Sequence, residues 1–281
     1  MSTRIAVAGV AGRMGREVAA AAAEDDAAAV AGGTVRAGSA FDGAGWAAAA
    51  GVEIPGARLV NDPRGIVPDS EVVIDFTTPA AALAHARVCA EYGVPFVTGT
   101  TGFSAEEQAA LRTLSRRIPI YAARNMSAGI AALLALLPGL SEALAGYDVE
   151  IVETHHRRKL DAPSGTALAL AEAIAGDAPL VHGRSGIAPR QAGEIGMHAV
   201  RGGGNPGEHS IIFSADGEEV RIQHRAFSRR AYAEGAIRAA HWLTGQQPGW
   251  YGPGDLRRPA GKGPIPFARY LVGSERELAG A

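Results

Sequence analysis

The sequence predicts an α/β protein, with an N-terminal Rossmann-type dinucleotide-binding domain followed by an α+β domain carrying a mixed sheet. Three observations lead there. A short apolar strand, Ile5 to Ala8, runs into the glycine-rich turn Gly9-Val10-Ala11-Gly12-Arg13-Met14-Gly15 and then into a helical run, Arg16 to Glu24; this order opens a nucleotide-binding βαβ unit. Strand and helix patterns then alternate over about 120 residues, the signature of a parallel, doubly wound sheet. Further on, Met197 to Arg201, His209 to Ala215 and Glu219 to Ala226 alternate polar and apolar residues, as strands with one solvated face do.

In chain order, the second strand ends near Ala29 to Arg36. Later strands are expected at Val72 to Phe76, Pro95 to Thr98 and Ile118 to Tyr121, with helices at Ala80 to Tyr92 and Ala105 to Arg116. Sheets of this kind bind ligands at the carboxyl ends of their strands. Those ends carry Gly9 to Gly15, Thr77-Thr78-Pro79, Gly99-Thr100-Thr101-Gly102 and Ala123-Arg124-Asn125-Met126, all small or polar stretches suited to a dinucleotide. A long helix, Ser127 to Leu144, leads out of this domain. After a loop at Gly176 to Gly193 and the three alternating strands comes a last helix, Ser228 to Leu243, with Ser228 as its cap and Ala231, Ala236, Ile237, Ala240 and Leu243 on one side. From Gln246 on, 12 of 36 residues are Gly or Pro, so that stretch reads as loop. The resulting division is 1–126 for the dinucleotide domain with 228–256 packing back onto it, 127–227 for the substrate-binding and oligomerisation domain, and 257–281 for a tail.

The richest chemistry lies in Glu153-Thr154-His155-His156-Arg157-Arg158-Lys159-Leu160-Asp161-Ala162-Pro163-Ser164-Gly165-Thr166. Apolar Ile151-Val152 before it reads as a buried strand and Ala167 to Glu172 after it as a helix, so proton donors and cations sit at a strand-to-helix junction. Pro163 fits the first helical turns. Ser164-Gly165-Thr166 leaves backbone N–H groups free to hold a carboxylate or phosphate.

Composition narrows the partners. The 281 residues are 47% hydrophobic and 20% charged, with a formal net charge of −2, which gives no electrostatic reason to expect nucleic acid or an anionic membrane. The lone Cys89 excludes intramolecular disulfides and multi-cysteine metal sites and fits a reducing cytoplasm. Placed mid-helix, it reads as a core thiol. No signal segment precedes the first strand, and no apolar run reaches the roughly 20 residues of a membrane span. Metal-dependent hydrolysis by Glu153, His155 and His156 is disfavoured, because adjacent strand residues point to opposite faces; no metal is expected.

At the junction motif the chain resembles the dihydrodipicolinate reductase family. The match is collinear from about Arg4 to Leu256 and takes in Gly9 to Gly15, Asp75-Phe76-Thr77, Gly99 to Phe103, Asn125-Met126-Ser127 with Gly129, the run Glu153 to Thr166, Arg201, Gly207-Glu208-His209, Ser228-Arg229 and Gly235 to Arg238. The junction run is specific to that family; the glycine turn alone is not. The resemblance implies a reductase of lysine and diaminopimelate synthesis that moves a hydride from NADH or NADPH to a cyclic unsaturated pyridine dicarboxylate. It implies His155 and Lys159 as the catalytic residues, and a homotetramer. Hydride attack on a conjugated imine needs a positioned acid, and a dicarboxylate needs cations and N–H donors, which His156, Lys159, Ser164, Gly165, Thr166 and Arg229 supply. Asp161 is read as orienting Lys159 or the loop, and His209 and His224 as satisfied structural histidines.

Gly9, Val10, Ala11, Gly12, Arg13, Met14, Arg36, Gly99, Thr100, Thr101, Ala123, Arg124, Asn125 and Met126 are the expected cofactor contacts. No acid lies between Ala27 and Phe41. Val35 stands where the family has an acidic residue and Arg36 is retained, which predicts preference for NADPH over NADH, with Thr34 and Ser39 beside Arg36. Three departures from the family bear on substrate identity and cofactor contacts: Arg124, Ala131 and Gly204-Asn205-Pro206. They leave open a divergent imine reductase acting on another carboxylated ring. A nucleotide-binding sensor without turnover is the non-enzymatic alternative, and it gives no reason for both His155 and Lys159.

Overall fold

The structure, a computed structural model, describes residues 2–257. Six short strands open the chain: β1 (Thr3–Ala8), β2 (Ala28–Thr34), β3 (Arg58–Val60), β4 (Val72–Asp75), β5 (Phe96–Thr98) and β6 (Pro119–Ala122). They lie in the order β3-β2-β1-β4-β5-β6, all parallel. The order reverses between β1 and β4, and in open sheets the crevice at such a reversal receives the ligand. Side chains alternate across β1: Ile5 and Val7 join Val18, Ala22 and Trp46 on one face, and Ala6 and Ala8 join Val73, Leu83, Phe96 and Leu111 on the other. Burial on both faces explains why these strands read as unbroken apolar runs.

Helices α1 (Arg13–Ala23) and α2 (Trp46–Ala50) cover the first face, and α3 (Pro79–Tyr92) and α4 (Ala105–Leu114) the second. Cys89 is fully buried in α3, as a core thiol. Helix α1 begins three residues before the expected Arg16. Extended Gly12 caps it, so Arg13, Met14 and Gly15 form its first turn rather than part of the loop.

After α5 (Ala128–Ala143) come β7 (Asp148–His155), α6 (Gly165–Ala175), β8 (Leu180–His182), β9 (Ile195–Arg201), β10 (Glu208–Ser214) and β11 (Glu219–Arg225). They form a second sheet ordered β11-β10-β7-β9-β8, with antiparallel β11–β10 and β10–β7 pairs and parallel β7–β9 and β9–β8 pairs. Leu137 of α5 and Leu170 of α6 pack on one face with Ile151, Met197, Ile211 and Phe213. Strand β8 lies inside the stretch expected to be loop. Helix α6 starts at Gly165 with Ser164 as its cap, so Pro163 stands before the helix and not in its first turns.

The chain then returns. Helix α7 (Arg230–Leu243) packs its alanine-rich face, with Ala233, Ala236, Ile237 and Ala240, into the first core beside α1. Its cap position is Arg229, one residue after the expected Ser228, although Ser228 Oγ still accepts from the Arg230 amide at 3.2 Å. β12 (Gly249–Tyr251) adds a seventh parallel strand beside β6, within a stretch expected to be loop. Strands β3, β8 and β12 are three residues each, too short to show a period, and exist through edge pairing. No helix among the described residues is long and apolar enough to cross a membrane. The tail 258–281 lies outside the described residues.

Candidate active site

Two openings flank the N-terminus of α1 at the strand ends. The larger, of about 990 Å³, runs between the two sheets and is lined by Arg13, Met14, Gly99, Thr100, Thr101 and Ala123 to Met126 on one side. His155, His156, Lys159, Ser164, Gly165, Thr166, Arg229 and Tyr232 line the other. The smaller, of about 600 Å³, is lined by Gly9, Thr34, Val35, Arg36, Arg64, Thr77 and Thr78 among others.

The glycine turn fits a dinucleotide. Gly9 has φ +66, a left-handed conformation that favours glycine, and an added Cβ there would lie 2.6 Å from Thr77 Cγ2 across the crevice. A Cβ on Gly15 would overlap the Gly9 carbonyl oxygen. Three amides of the turn are already engaged: Gly9 N donates to Thr34 Oγ1 at 3.1 Å, Val10 N to the Thr34 carbonyl at 3.0 Å and Gly12 N to the Gly9 carbonyl at 2.9 Å. The first-turn amides of Arg13, Met14 and Gly15 have no acceptor inside the helix, which makes them the donors for an anion. Val10 is fully buried, so its side chain shapes the turn from beneath.

At the end of β2, Val35 is buried and Arg36 is exposed. The first acid beyond, Asp42, has both oxygens engaged, by the Gly38 amide at 2.8 Å and Asn61 Nδ2 at 3.0 Å. Of the residues expected beside Arg36, Thr34 is tied to Gly9 and Ser39 has a buried hydroxyl without a hydrogen-bond partner.

The second sheet builds the other wall. The two-residue period of β7 turns Val149, Ile151, Glu153 and His155 inward, so core packing ends in a carboxylate and an imidazole on one face. Glu153 is fully buried. It accepts from His155 Nδ1 at 2.5 Å, from both terminal nitrogens of Arg201 at 2.7 Å and from the Ser164 amide at 2.9 Å. Burial pushes this carboxyl up, and the hydrogen bonds from His155 and Arg201, the charge of His155 and the Ser164 amide outweigh it, holding the group at about 2. With Nδ1 engaged, Nε2 is the ring nitrogen left for exchange; a Cβ on Gly207 would come within 3.0 Å of it and 3.1 Å of Tyr232 Oη.

Lys159 Nζ lies 2.8 Å from Asp161 Oδ1 and 2.9 Å from Oδ2, as expected of an orienting acid. The loop holding both is laced to the next one: His156 N donates to the Asn205 carbonyl at 2.8 Å, and Arg201 Nη2 to the Asp161 carbonyl at 2.7 Å. Burial, followed by the charges of Arg158, Arg229 and Arg13, pulls the His156 pKa down. At α6, Ser164 Oγ caps the helix by accepting from Ala167 N at 3.1 Å, and Asn125 Nδ2 donates to Thr166 Oγ1 at 3.0 Å, joining the two walls.

Of the expected site residues, Gly9 and Arg36 fall in the smaller opening, and Val10, Ala11 and Gly12 line neither. Arg124 folds over Gly165, whose added Cβ would sit 3.5 Å from Arg124 Cδ; the departures Arg124 and Pro206 therefore both line the cleft, whereas Ala131 is buried. His209 and His224 are not fully satisfied: each bonds through Nε2, to Ser164 and Ser127 respectively, and each leaves a buried Nδ1 without a partner. Arg201 and Tyr232 are brought to the site by the fold, and Glu153, weighed above only as a metal ligand, is the partner of His155.

Comparison with known proteins adds the family. Residues 3–126 match the family model described as dihydrodipicolinate reductase, N-terminus, and residues 129–256 the one described as dihydrodipicolinate reductase, C-terminus. A 4-hydroxy-tetrahydrodipicolinate reductase of Rubrobacter xylanophilus is 48% identical over 260 residues, 90% of this chain and 97% of that protein. The reductase of the same name from Thiobacillus denitrificans is 41% identical, covering 91% and 98%. Among solved structures, a dipicolinate-bound dihydrodipicolinate reductase from Paenisporosarcina sp. TG-14 superposes with a TM-score of 0.70 at 23% identity, covering 90% of this chain and 98% of that one. An amine dehydrogenase from Mycobacterium smegmatis shares the fold at a TM-score of 0.66 and 15% identity, covering 92% and 97%.

Proposed function

This chain belongs to the dihydrodipicolinate reductase family, and from that premise we propose how its residues divide the work of a 4-hydroxy-tetrahydrodipicolinate reductase. It is a pyridine-nucleotide-dependent oxidoreductase of lysine and diaminopimelate biosynthesis. When bound, the reduced nicotinamide supplies the hydride. The observation that carries the assignment is the facing of two walls across one cleft, with the strand-end residues Gly99 to Thr101 and Ala123 to Met126 opposite His155, Lys159 and the start of α6.

The amides of Arg13, Met14 and Gly15 hold a phosphate of the dinucleotide, and Gly99, Thr100, Thr101 and Ala123 to Met126 border the nicotinamide end. On the opposite wall Ser164, Gly165 and Thr166 take one carboxylate of the substrate at the N-terminus of α6, and Lys159, His156 and Arg229 place positive charge around the ring. His155, fixed through Nδ1 by Glu153, holds a proton at Nε2 and delivers it to the ring as negative charge develops. Lys159 is the second donor, steadied by Asp161.

The cofactor is NADPH in preference to NADH. Exposed Arg36 supports this, together with buried Val35 in the place of an acid and the full engagement of Asp42. The assembly is a homotetramer, supported by the uncommitted apolar side chains on the face of the second sheet opposite α5 and α6, where Val200 is 48% exposed. The biosynthetic role and the single buried thiol fit the cytoplasm.

The test is direct. The chain is mixed with reduced nicotinamide nucleotide and with 4-hydroxy-tetrahydrodipicolinate or a panel of other carboxylated cyclic imines, and loss of nicotinamide absorbance is followed. Turnover of the first substrate well above the panel supports the assignment; turnover of only a panel member identifies a divergent imine reductase.

A further inference from the structure

His209 is buried behind the wall that carries His155 and Ser164. It is 1% exposed. Its ring sits edge-on to His155 at 5.2 Å between centroids and 6.4 Å from His224. Its Nε2 lies 3.1 Å from Ser164 Oγ, and its Nδ1 is buried without a hydrogen-bond partner.

These contacts bear on which nitrogen carries the proton. Ser164 Oγ already accepts from the Ala167 amide. If the His209 proton were on Nδ1, an N–H donor would be buried with no acceptor, which native structures avoid more strictly than an unmet acceptor. With the proton on Nε2, the ring donates to Ser164 Oγ and only a lone pair goes unmet. Both lone pairs of the Ser164 hydroxyl are then taken, by Ala167 N–H and by His209 Nε2–H. Its own proton then points away from both, and Ser164 lines the cleft.

We propose that His209 is a positioning residue: by donating from Nε2 to Ser164 Oγ it turns the Ser164 O–H outward as a fixed donor for a carboxylate of the bound ring. The proposal rests on the assignment of the α6 N-terminus as a carboxylate site and adds the residue that sets the direction of one of its donors. His209 is neutral in this role, because burial, with the charge of His155 next, pushes its pKa down to about 3. His224 stands behind it but bonds to Ser127 instead, at 3.0 Å.

Glutamine can place an N–H where His Nε2 stands; asparagine and leucine cannot. Against pyridine-2,6-dicarboxylate, His209→Leu and His209→Asn should raise Kd by about tenfold or more, the range of one hydrogen bond to a charged group, while His209→Gln stays within about threefold. The same ranking should appear in KM for the substrate, with kcat little changed, and the nucleotide Kd should not move. In a Ser164→Ala background, Leu and Gln at position 209 should become indistinguishable. Nitrogen NMR of the imidazoles in the unaltered chain should show His209 protonated at Nε2. A proton on Nδ1, or an equal loss for Leu and Gln, or a Leu effect that persists in full without the serine hydroxyl, would overturn the proposal. Failure of the unaltered chain to bind the dicarboxylate at all would instead remove the carboxylate-site assignment, and this proposal with it.

Discussion

Glu153 Oε2 and His155 Nδ1 stand 2.5 Å apart on the inward face of one strand, and the same carboxylate is gripped by both terminal nitrogens of Arg201. A carboxylate in this place fixes the imidazole's tautomer and supports the charge it carries during proton transfer. Glu153→Gln keeps the shape and removes the anion. Turnover should fall by about 10²-fold, and because Arg201 loses its partner in a buried setting, stability near neutral pH should fall by about 3 kcal/mol.

The same pair sets an acid limit. The folded Glu153 carboxyl is held at about 2, below its ordinary value of 4.5, so the unfolded chain binds this proton more readily. The stabilisation is complete above the ordinary value and is lost as pH falls toward about 2. Unfolding midpoints across that window should therefore drop more steeply for the unaltered chain than for Glu153→Gln; parallel curves would show that this carboxylate does not carry the linkage.

His155→Ala and Lys159→Ala should each lower kcat by roughly 10² to 10⁴ with nucleotide affinity preserved. Asp161→Asn should cost much less, because the Asp161 side chain is largely exposed and its ion pair is with Lys159. Near-normal kcat in both alanine variants would remove the proton-donor roles.

Thr166 ties the walls together through Asn125 Nδ2 and stands in the first turn of α6, where the substrate carboxylate is proposed to bind. Thr166→Val conserves volume and removes the hydroxyl. It should weaken pyridine-2,6-dicarboxylate by about tenfold and the nucleotide by far less, as paired titrations can measure; equal losses would make Thr166 a fold contact only.

The parts of this site that are contiguous in the chain are legible in the sequence. The glycine turn and the run from His155 to Thr166 each present their chemistry within one local junction, where turn and cap rules apply. Arg201 and His209 were not legible in the same way, because only sheet register brings them in. Pairing of β7 with β9 sets His155 opposite Arg201, and pairing with β10 sets Glu153 opposite His209, 46 and 56 residues apart, and such contacts leave no periodic trace. Reading His209 as a satisfied structural residue went wrong for this reason: its one hydrogen bond goes to the cap of α6, and its other nitrogen has none.

The quaternary prediction follows from the second sheet. One face is covered by α5 and α6, and Val152, Ile212 and Val200 on the opposite face stay partly exposed. Apolar side chains on a regular sheet face favour association with another copy. Sedimentation at micromolar concentration should give a species of four chains; a monomer would contradict the tetramer.

The proposed preference for NADPH turns on Arg36. The ribose that carries the 2′ group meets the protein at the end of β2, where an acid favours a free hydroxyl and an arginine accommodates a phosphate. Val35, in the place of the acid, is buried and engaged through its amide with the Val60 carbonyl at 2.9 Å, so the chain cannot simply present a neighbouring acid there. Asp42 is held by Gly38 and Asn61. Arg36 itself is exposed beside the opening that contains Gly9 and Thr77. Arg36→Ala should therefore lower kcat/KM with NADPH by about tenfold and leave the value with NADH nearly unchanged, the loss of one charge-assisted contact to phosphate. Salt should mimic it, since an exposed cation is screened. A preference for NADH in the unaltered chain, or equal losses with both nucleotides in the variant, would show that the phosphate is read elsewhere or not at all.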